Sequence, residues 1–297
     1  MNWRQRTSAR KSSASDGKLS NRTKGILFLV ASAFGFAVMA TMVRLCDDFG
    51  GPISSFQKSF FRNVVALVLA AGVFIRQAQP KAISVPYPLI LRAILGTIGI
   101  FANFYALSHI TIAEGQTLNK TAPFFTVVFA WLFLGERASR QQFLALVVAL
   151  TGVVLIAKPG FAGAQAFALA MGLLGGVCAG GAYACVRALR RHQVSPSFIV
   201  LFFSAFSCLA SVPFMLAEFD PMTPAQVLIL FGAGAGAALG QFGITLAYGY
   251  AAPRDISVFD YTNILFTAAF GYLCFAQVPD LLSVFGFVAI LLAALLV

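Results

Sequence analysis

The sequence predicts an all-α integral membrane protein with ten transmembrane helices arranged as two inverted five-helix repeats. Three observations carry this. Of 297 residues, 59% are apolar and 10% charged, and the mean hydropathy is +0.86. A water-soluble domain carries charge on about a quarter of its positions, so this chain cannot cover its apolar surface in water. Apolar runs close to the ~20 residues that cross a bilayer recur ten times along it. The second half then echoes the first at an offset of 141–143 residues.

In order, the runs cover 24–45, 56–75, 87–108, 113–134, 141–158, 165–188, 196–216, 223–250, 254–276 and 281–297. Residues 1–23 are basic, Ser/Arg-rich and without apolar periodicity, which predicts a disordered tail. The first run is too long and continuous for a cleaved signal sequence. Pro52, Pro80, Pro86, Pro159, Pro196, Pro221, Pro253 and Pro279 fall in loops or at helix ends. Pro123 lies well inside the fourth run and should kink that helix.

A formal charge of +11 would suggest nucleic acid in a soluble domain, but here it follows loop asymmetry. With the tail inside, one side collects most of the basic residues, from Arg4 to Arg22 and on to Arg76, Lys81, Arg137, Arg140, Arg190, Arg191 and Arg254. Loops on the other side hold Asp47, Asp48, Glu218, Asp220 and Asp280. Both termini are therefore expected in the cytoplasm. Cys46, Cys178, Cys185, Cys208 and Cys274 lack metal-ligand spacing and read as small buried hydrophobes.

The internal echo holds its register across successive spans. Ser55-Phe56 recurs as Ser197-Phe198, and Val43-Arg44 as Val186-Arg187. Gly99, Phe101, Ala106, Thr121, Phe125, Thr126 and Phe129 recur as Gly240, Phe242, Ala247, Thr262, Phe266, Thr267 and Phe270. Glu114 meets Asp255, and Trp131 meets Tyr272. Residues 24–158 form the first repeat and 165–297 the second. Five spans are an odd number, so the second copy enters the membrane upside down, the architecture of many secondary transporters.

The segment Tyr105-Ala-Leu, then Ala122-Pro123 leading through Phe-rich sequence to Leu134-Gly135-Glu136-Arg137, then Gly152-Val153, resembles the EamA family of the drug/metabolite transporter superfamily. The second copy is similar through Asp260-Tyr261-Thr262, Gly271-Tyr272-Leu273 and Pro279-Asp280. It departs in having Ala276-Gln277 for Gly135-Glu136 and Ile264 for Pro123. The resemblance implies ten helices in inverted repeats around a central cavity, with the first, third, fourth, sixth, eighth and ninth spans lining it. It also implies transport of small organic metabolites, often export.

Two glycine ladders, Gly172-Gly176-Gly180 and Gly232-Gly236-Gly240, each share one helix face, where backbones can approach closely. They serve static packing, or let helices slide, in which case Gly176 and Gly236 join Pro123 as gating positions. Gln241, Thr245 and Tyr248 make a polar stripe on the eighth span; Tyr183 and Asn103 join it. These residues either line a cavity suited to an amphiphilic ligand or bond between helices. Arg62 and Arg92 are close enough to span ends to snorkel. Glu114 and Asp255 occupy related turns, where capping a helix is sufficient. Lys120 and Asp260 lie deeper, each costing at least ~2.5–3.5 kcal/mol at mid-bilayer without a partner. Counting from opposite membrane faces separates them vertically by ~11 Å, too far for a direct ion pair. They read as contacts for a substrate carboxylate and an ammonium group or proton, or as groups satisfied locally by hydroxyls and carbonyls.

No Ser/His/Asp or paired-acid arrangement is apparent, and His109 and His192 stand alone, so neither an enzyme, a metal site nor a cofactor is expected. The sequence thus points to a secondary transporter exporting amino acids or similar amphiphiles by alternating access, the alternative being a channel or facilitative pore. Its partners would be a small-molecule substrate and the lipid bilayer, not nucleic acid. Monomer and homodimer both remain open, and the bacterial inner (plasma) membrane is the expected location.

Overall fold

A computed structural model describes residues 19–76, 87–109, 118–157, 165–276 and 280–296. The first half comprises α1 (Asn21–Asp48), α2 (Ser55–Arg76), α3 (Tyr87–His109), α4 (Ala122–Leu134) and α5 (Arg140–Ala157). The second comprises α6 (Gln165–Arg191), α7 (Pro196–Ala217), α8 (Pro224–Tyr250) and the single turn α9 (Pro253–Ile256). A 3-10 stretch, Ser257–Tyr261, then leads into α10 (Thr262–Phe275), and α11 (Leu281–Leu295) follows. Local chemistry sets the starts. Ser20 accepts from the Thr23 N–H at 3.1 Å and caps α1. Thr223 and Gln226 form a capping box at α8, and Pro196, Pro224 and Pro253 sit in first turns, where no amide donor is needed.

Among the described residues, seven helices are long and apolar enough to cross a membrane, with Pro253–Phe275 counted as one; Ala122–Leu134, Arg140–Leu155 and Val284–Ala293 are shorter apolar helices. The chain is an all-helical integral membrane protein. Its exposed surface is apolar, with Phe133, Leu228 and Leu273 at least 74% exposed, as a lipid-facing surface requires.

Several sequence expectations are corrected. Residues 21–23, read as part of the disordered tail, are the first turn of α1, because the Ser20 cap carries the helix back past the apolar run. Pro123 does not kink a helix. It sits in the first turn of α4, with Thr121 as N-cap, so the fourth span is broken before the proline rather than bent at it. The ninth span, which has Ile264 where the fourth has Pro123, is broken too, by the 3-10 stretch before α10. The proline that does lie inside a helix is Pro213, in α7. Asp255 caps nothing; it accepts from the Gln142 Nε2 of α5 at 2.9 Å. Cys46, Cys178 and Cys208 are buried as expected, but Cys185 is half-buried and Cys274 exposed. Glu114, Lys158, Pro80, Pro86, Pro159 and Pro279 lie outside the described residues.

The main packing partners come in pairs that exchange when the halves are exchanged. α1 lies along α8 and α3 along α6; α10 lies on α1 and α4 on α6; α2 packs on α7 and α5 on α11. Small residues set the closest of these approaches. A Cβ on Gly35 would sit 2.7 Å from the Gly236 carbonyl oxygen, and one on Gly236 2.8 Å from that of Gly35, so the backbones of α1 and α8 touch. Gly176 of α6 faces the turn at Leu118–Thr121 that precedes α4. The two breaks also end alike. Thr121 Oγ1 donates to the Leu118 carbonyl and Thr262 Oγ1 to that of Phe259, each at 2.7 Å. α4 and α10 both stop at a left-handed residue, Gly135 (φ 68°) and Ala276 (φ 52°).

Candidate functional site

The two breaks face each other in the middle of the bundle and bring Lys120 and Asp260 together. Lys120 Nζ lies 3.4 Å from Asp260 Oδ2, with both side chains buried. This overturns the ~11 Å separation expected from sequence, which assumed α-helical rise from each membrane face. The 3-10 backbone that leads to Asp260 climbs ~2.0 Å per residue instead of ~1.5 Å, which recovers ~2 Å of the difference over Ser257–Asp260, and the long Lys120 side chain bridges part of the rest. Lys120 sits in the turn between helical Leu118–Asn119 and α4.

Around this pair is a cavity of about 80 Å³. α1 contributes Phe36 and Met39, α2 Arg62, α3 Arg92, Gly96 and Asn103, and the turn before α4 Asn119 and Lys120. α6 adds Tyr183, α7 Phe203, α8 Gln241, and the ninth span Asp260 and Asn263. The lining therefore includes α2 and α7 as well as the six spans that the family resemblance implies.

Of the residues singled out in the sequence, Asn103, Lys120, Tyr183, Gln241 and Asp260 meet at this cavity. Thr245 and Tyr248 do not line it. Thr245 is fully buried and donates to the Gln241 carbonyl of its own helix at 2.6 Å. Tyr248 is fully buried in an apolar cluster with Leu29, Leu89, Val186 and Ile244, edge-on to Tyr183 at 6.1 Å. The polar stripe of α8 reaches the cavity only at Gln241. Pro123 opens α4, and Gly176 and Gly236 lie where α6 and α8 are crossed at close range.

Sequence reasoning missed Arg62 and Arg92. They do not snorkel: they are 4% and 2% exposed and line the cavity. Arg92 lies flat over Phe203, its Cζ 3.8 Å from the ring centroid, and its Nη2 donates to Gln241 Oε1 at 2.7 Å. The available signal was depth. Arg62 is seven residues past the start of α2, ~10 Å along the helix, as deep as the estimate that singled out Lys120.

Among the described residues, separate sets of contacts gather toward each end of the bundle. At the end where α1 begins, the cluster around Leu29 and Tyr248 forms an apolar plug. Beyond it Glu136 accepts from Arg187 Nε at 2.9 Å and lies 3.6 Å from Arg191, while Arg254 donates to the Arg137 carbonyl. At the other end Cys46, Ile53 and Leu230 pack together. There Asp220 Oδ2 accepts from the Ser54 N–H at 2.7 Å, Lys58 donates to Asp47, and Gln226 donates to the carbonyls of Cys46 and Gly51.

Comparison with known proteins agrees with this architecture. The profile of the EamA-like transporter family matches residues 23–158. The pseudopaline exporter CntI of Pseudomonas aeruginosa is 31% identical over 274 residues, covering 91% of this chain and 94% of its own. An uncharacterized transporter of Helicobacter pylori is 25% identical over 282 residues, covering 92% and 94%. A solved crystal structure superposes with a TM-score of 0.75 at 16% identity, over 90% of this chain and 96% of its own, a likeness of fold alone. The chain belongs to the EamA-like transporter family: it is a membrane transporter and not an enzyme.

Proposed function

We propose that the protein is a secondary transporter that exports amino acids or similar small amphiphilic metabolites by alternating access. The observation that carries this reading is the central cavity, polar and charged, lined by both halves, with separate sets of contacts toward each end. A carrier needs two such seals that open in turn; a pore would need neither. The exchangeable packing pairs and the matched breaks before α4 and α10 support inverted repeats over 24–158 and 165–297. The moving joints are the break ahead of Pro123, with Gly176 against it, and the Gly236 contact with α1. The excess of Lys and Arg in one set of loops supports cytoplasmic termini, and the bacterial relatives support an inner-membrane location. Since one chain encloses the cavity, a monomer suffices as the transporting unit. Export is supported by the relative named as a pseudopaline exporter.

The test is counterflow: purified protein in liposomes, preloaded with an unlabelled solute, should transiently concentrate the labelled form. Single-channel currents with no counterflow would replace this reading with a pore.

A further inference from the structure

The charges around the cavity do not balance. Arg62, Arg92 and Lys120 contribute three positive charges and Asp260 one negative, leaving an excess of two among the described residues. Lys120 and Asp260 are paired with each other, so the excess resides on the two guanidinium groups. Burying unpaired charge is strongly unfavourable unless a counter-charge arrives. Both groups keep donors in reserve, because the Nε atoms of Arg62 and Arg92 are buried with no hydrogen-bond partner. Arg92 is also held in place. Phe203 covers one of its faces, Gln241 takes one Nη, and Gly96 leaves the room its guanidinium occupies, since a Cβ there would collide with Nη1.

We propose that the cavity is a binding site for a small dicarboxylate, whose two carboxylates are taken by Arg62 and Arg92. The guanidinium fork matches a carboxylate geometrically, and a dianion cancels the excess charge. A simple zwitterion leaves that excess in place, because the carboxylate of Asp260 is already engaged. An amino group on the dicarboxylate would find the buried, unpartnered Asp260 Oδ1 and Asn103 Oδ1, but it makes the ligand a net monoanion that cancels only one of the two surplus charges. This assignment rests on reading the cavity as the transport site and narrows its cargo to acidic members of the proposed class.

The experiment separates binding from transport. The full chain, purified in detergent, is melted at constant ionic strength with succinate, glutamate, leucine or putrescine. Succinate should raise the melting temperature most, glutamate, a net monoanion, should raise it less, and leucine and putrescine should not raise it. In Arg62→Gln and Arg92→Gln the apparent affinity for succinate should fall at least ~10-fold, while Arg62→Lys, which keeps charge but loses the fork, should fall less. Without ligand, Arg62→Gln should melt no lower than the wild type, because it removes an unpaired buried cation; a purely structural arginine would give a lower value. Failure of both dicarboxylates to stabilise the protein, equal stabilisation by leucine, or unchanged affinity in both glutamine variants overturns the proposal. Succinate binding without counterflow in liposomes would leave the site standing and remove the transporter reading instead.

Discussion

Lys120 and Asp260 sit at the tips of two broken helices, and their ion pair is where the halves of the molecule meet electrostatically. A buried pair of this kind contributes little net stability, but removing one partner strands the other. Asp260→Asn should therefore lower stability by ~3–5 kcal/mol, and the double change Lys120→Met with Asp260→Leu should recover most of it; melting in detergent checks both. Depth in the apolar runs was enough to mark these two residues in the sequence. It did not mark Arg62 and Arg92, although they lie in the same cavity. Snorkelling was weighed by distance to a helix end, whereas their fate was decided by which face of α2 and α3 turns inward. On α2 that face is marked within the span, because Lys58, Ser59, Arg62, Asn63, Ala66 and Ala70 recur at helical spacing and are all buried. Thr245 and Tyr248 failed for the opposite reason: spacing put them on the helix face of Gln241, but the cavity ends before the stripe does.

At the scale of elements, the positions of the spans were legible because a hydrocarbon core of ~30 Å imposes length directly. The breaks were not. Pro123 signalled an irregularity and misled about its form; the 3-10 stretch Ser257–Tyr261 carries no proline at all. What makes that break tenable is internal satisfaction of its polar groups, with Ser257 donating to the Pro253 carbonyl and Asn263 of α10 donating to that of Ala33. In the glycine ladders Gly176, Gly180, Gly236 and Gly240 sit at close approaches, whereas Gly232 meets only Met42 at ordinary contact distance, and packing distance gives a quantitative expectation. Gly236→Val would push a branched side chain into the α1 backbone. It should cost at least the ~1–3 kcal/mol typical of overpacking, seen as a lower melting temperature. Gly72→Ala, which faces open space, should leave stability unchanged within about 0.5 kcal/mol.

For the molecule as a whole, the cavity of about 80 Å³ is small against the ~300–1,000 Å³ of typical ligand pockets, so loading requires one of the two seals to open. Ser54 and Asp220 lie across the seal far from the termini. In Ser54→Cys with Asp220→Cys, on a background with the five native cysteines replaced by Ala, a short bis-methanethiosulfonate, which links the thiols through disulfides, should abolish counterflow, and reductant should restore it; each single variant should retain most of its activity. The matching seal at the other end is bound by Glu136, so Glu136→Gln should weaken it and shift the resting population toward that opening. Accessibility of a cysteine placed at Tyr183 to a membrane-impermeant thiol reagent, added from each side in turn, measures that shift.

The surplus positive charge of the cavity also has an electrical consequence. A carrier loaded with a dianion is neutral when it reorients, whereas the empty carrier returns with two positive charges inside it. Each charge that crosses the full field contributes ~2.3 kcal/mol per 100 mV. In the orientation proposed, with the cell interior negative, the membrane potential draws the vacant cavity toward the cytoplasm, where cargo awaits. For export, energised membranes would thus reset the carrier after each release without a coupling ion. Net efflux from liposomes should accelerate when a potassium diffusion potential makes the side of the termini negative, whereas one-for-one exchange should be indifferent to voltage.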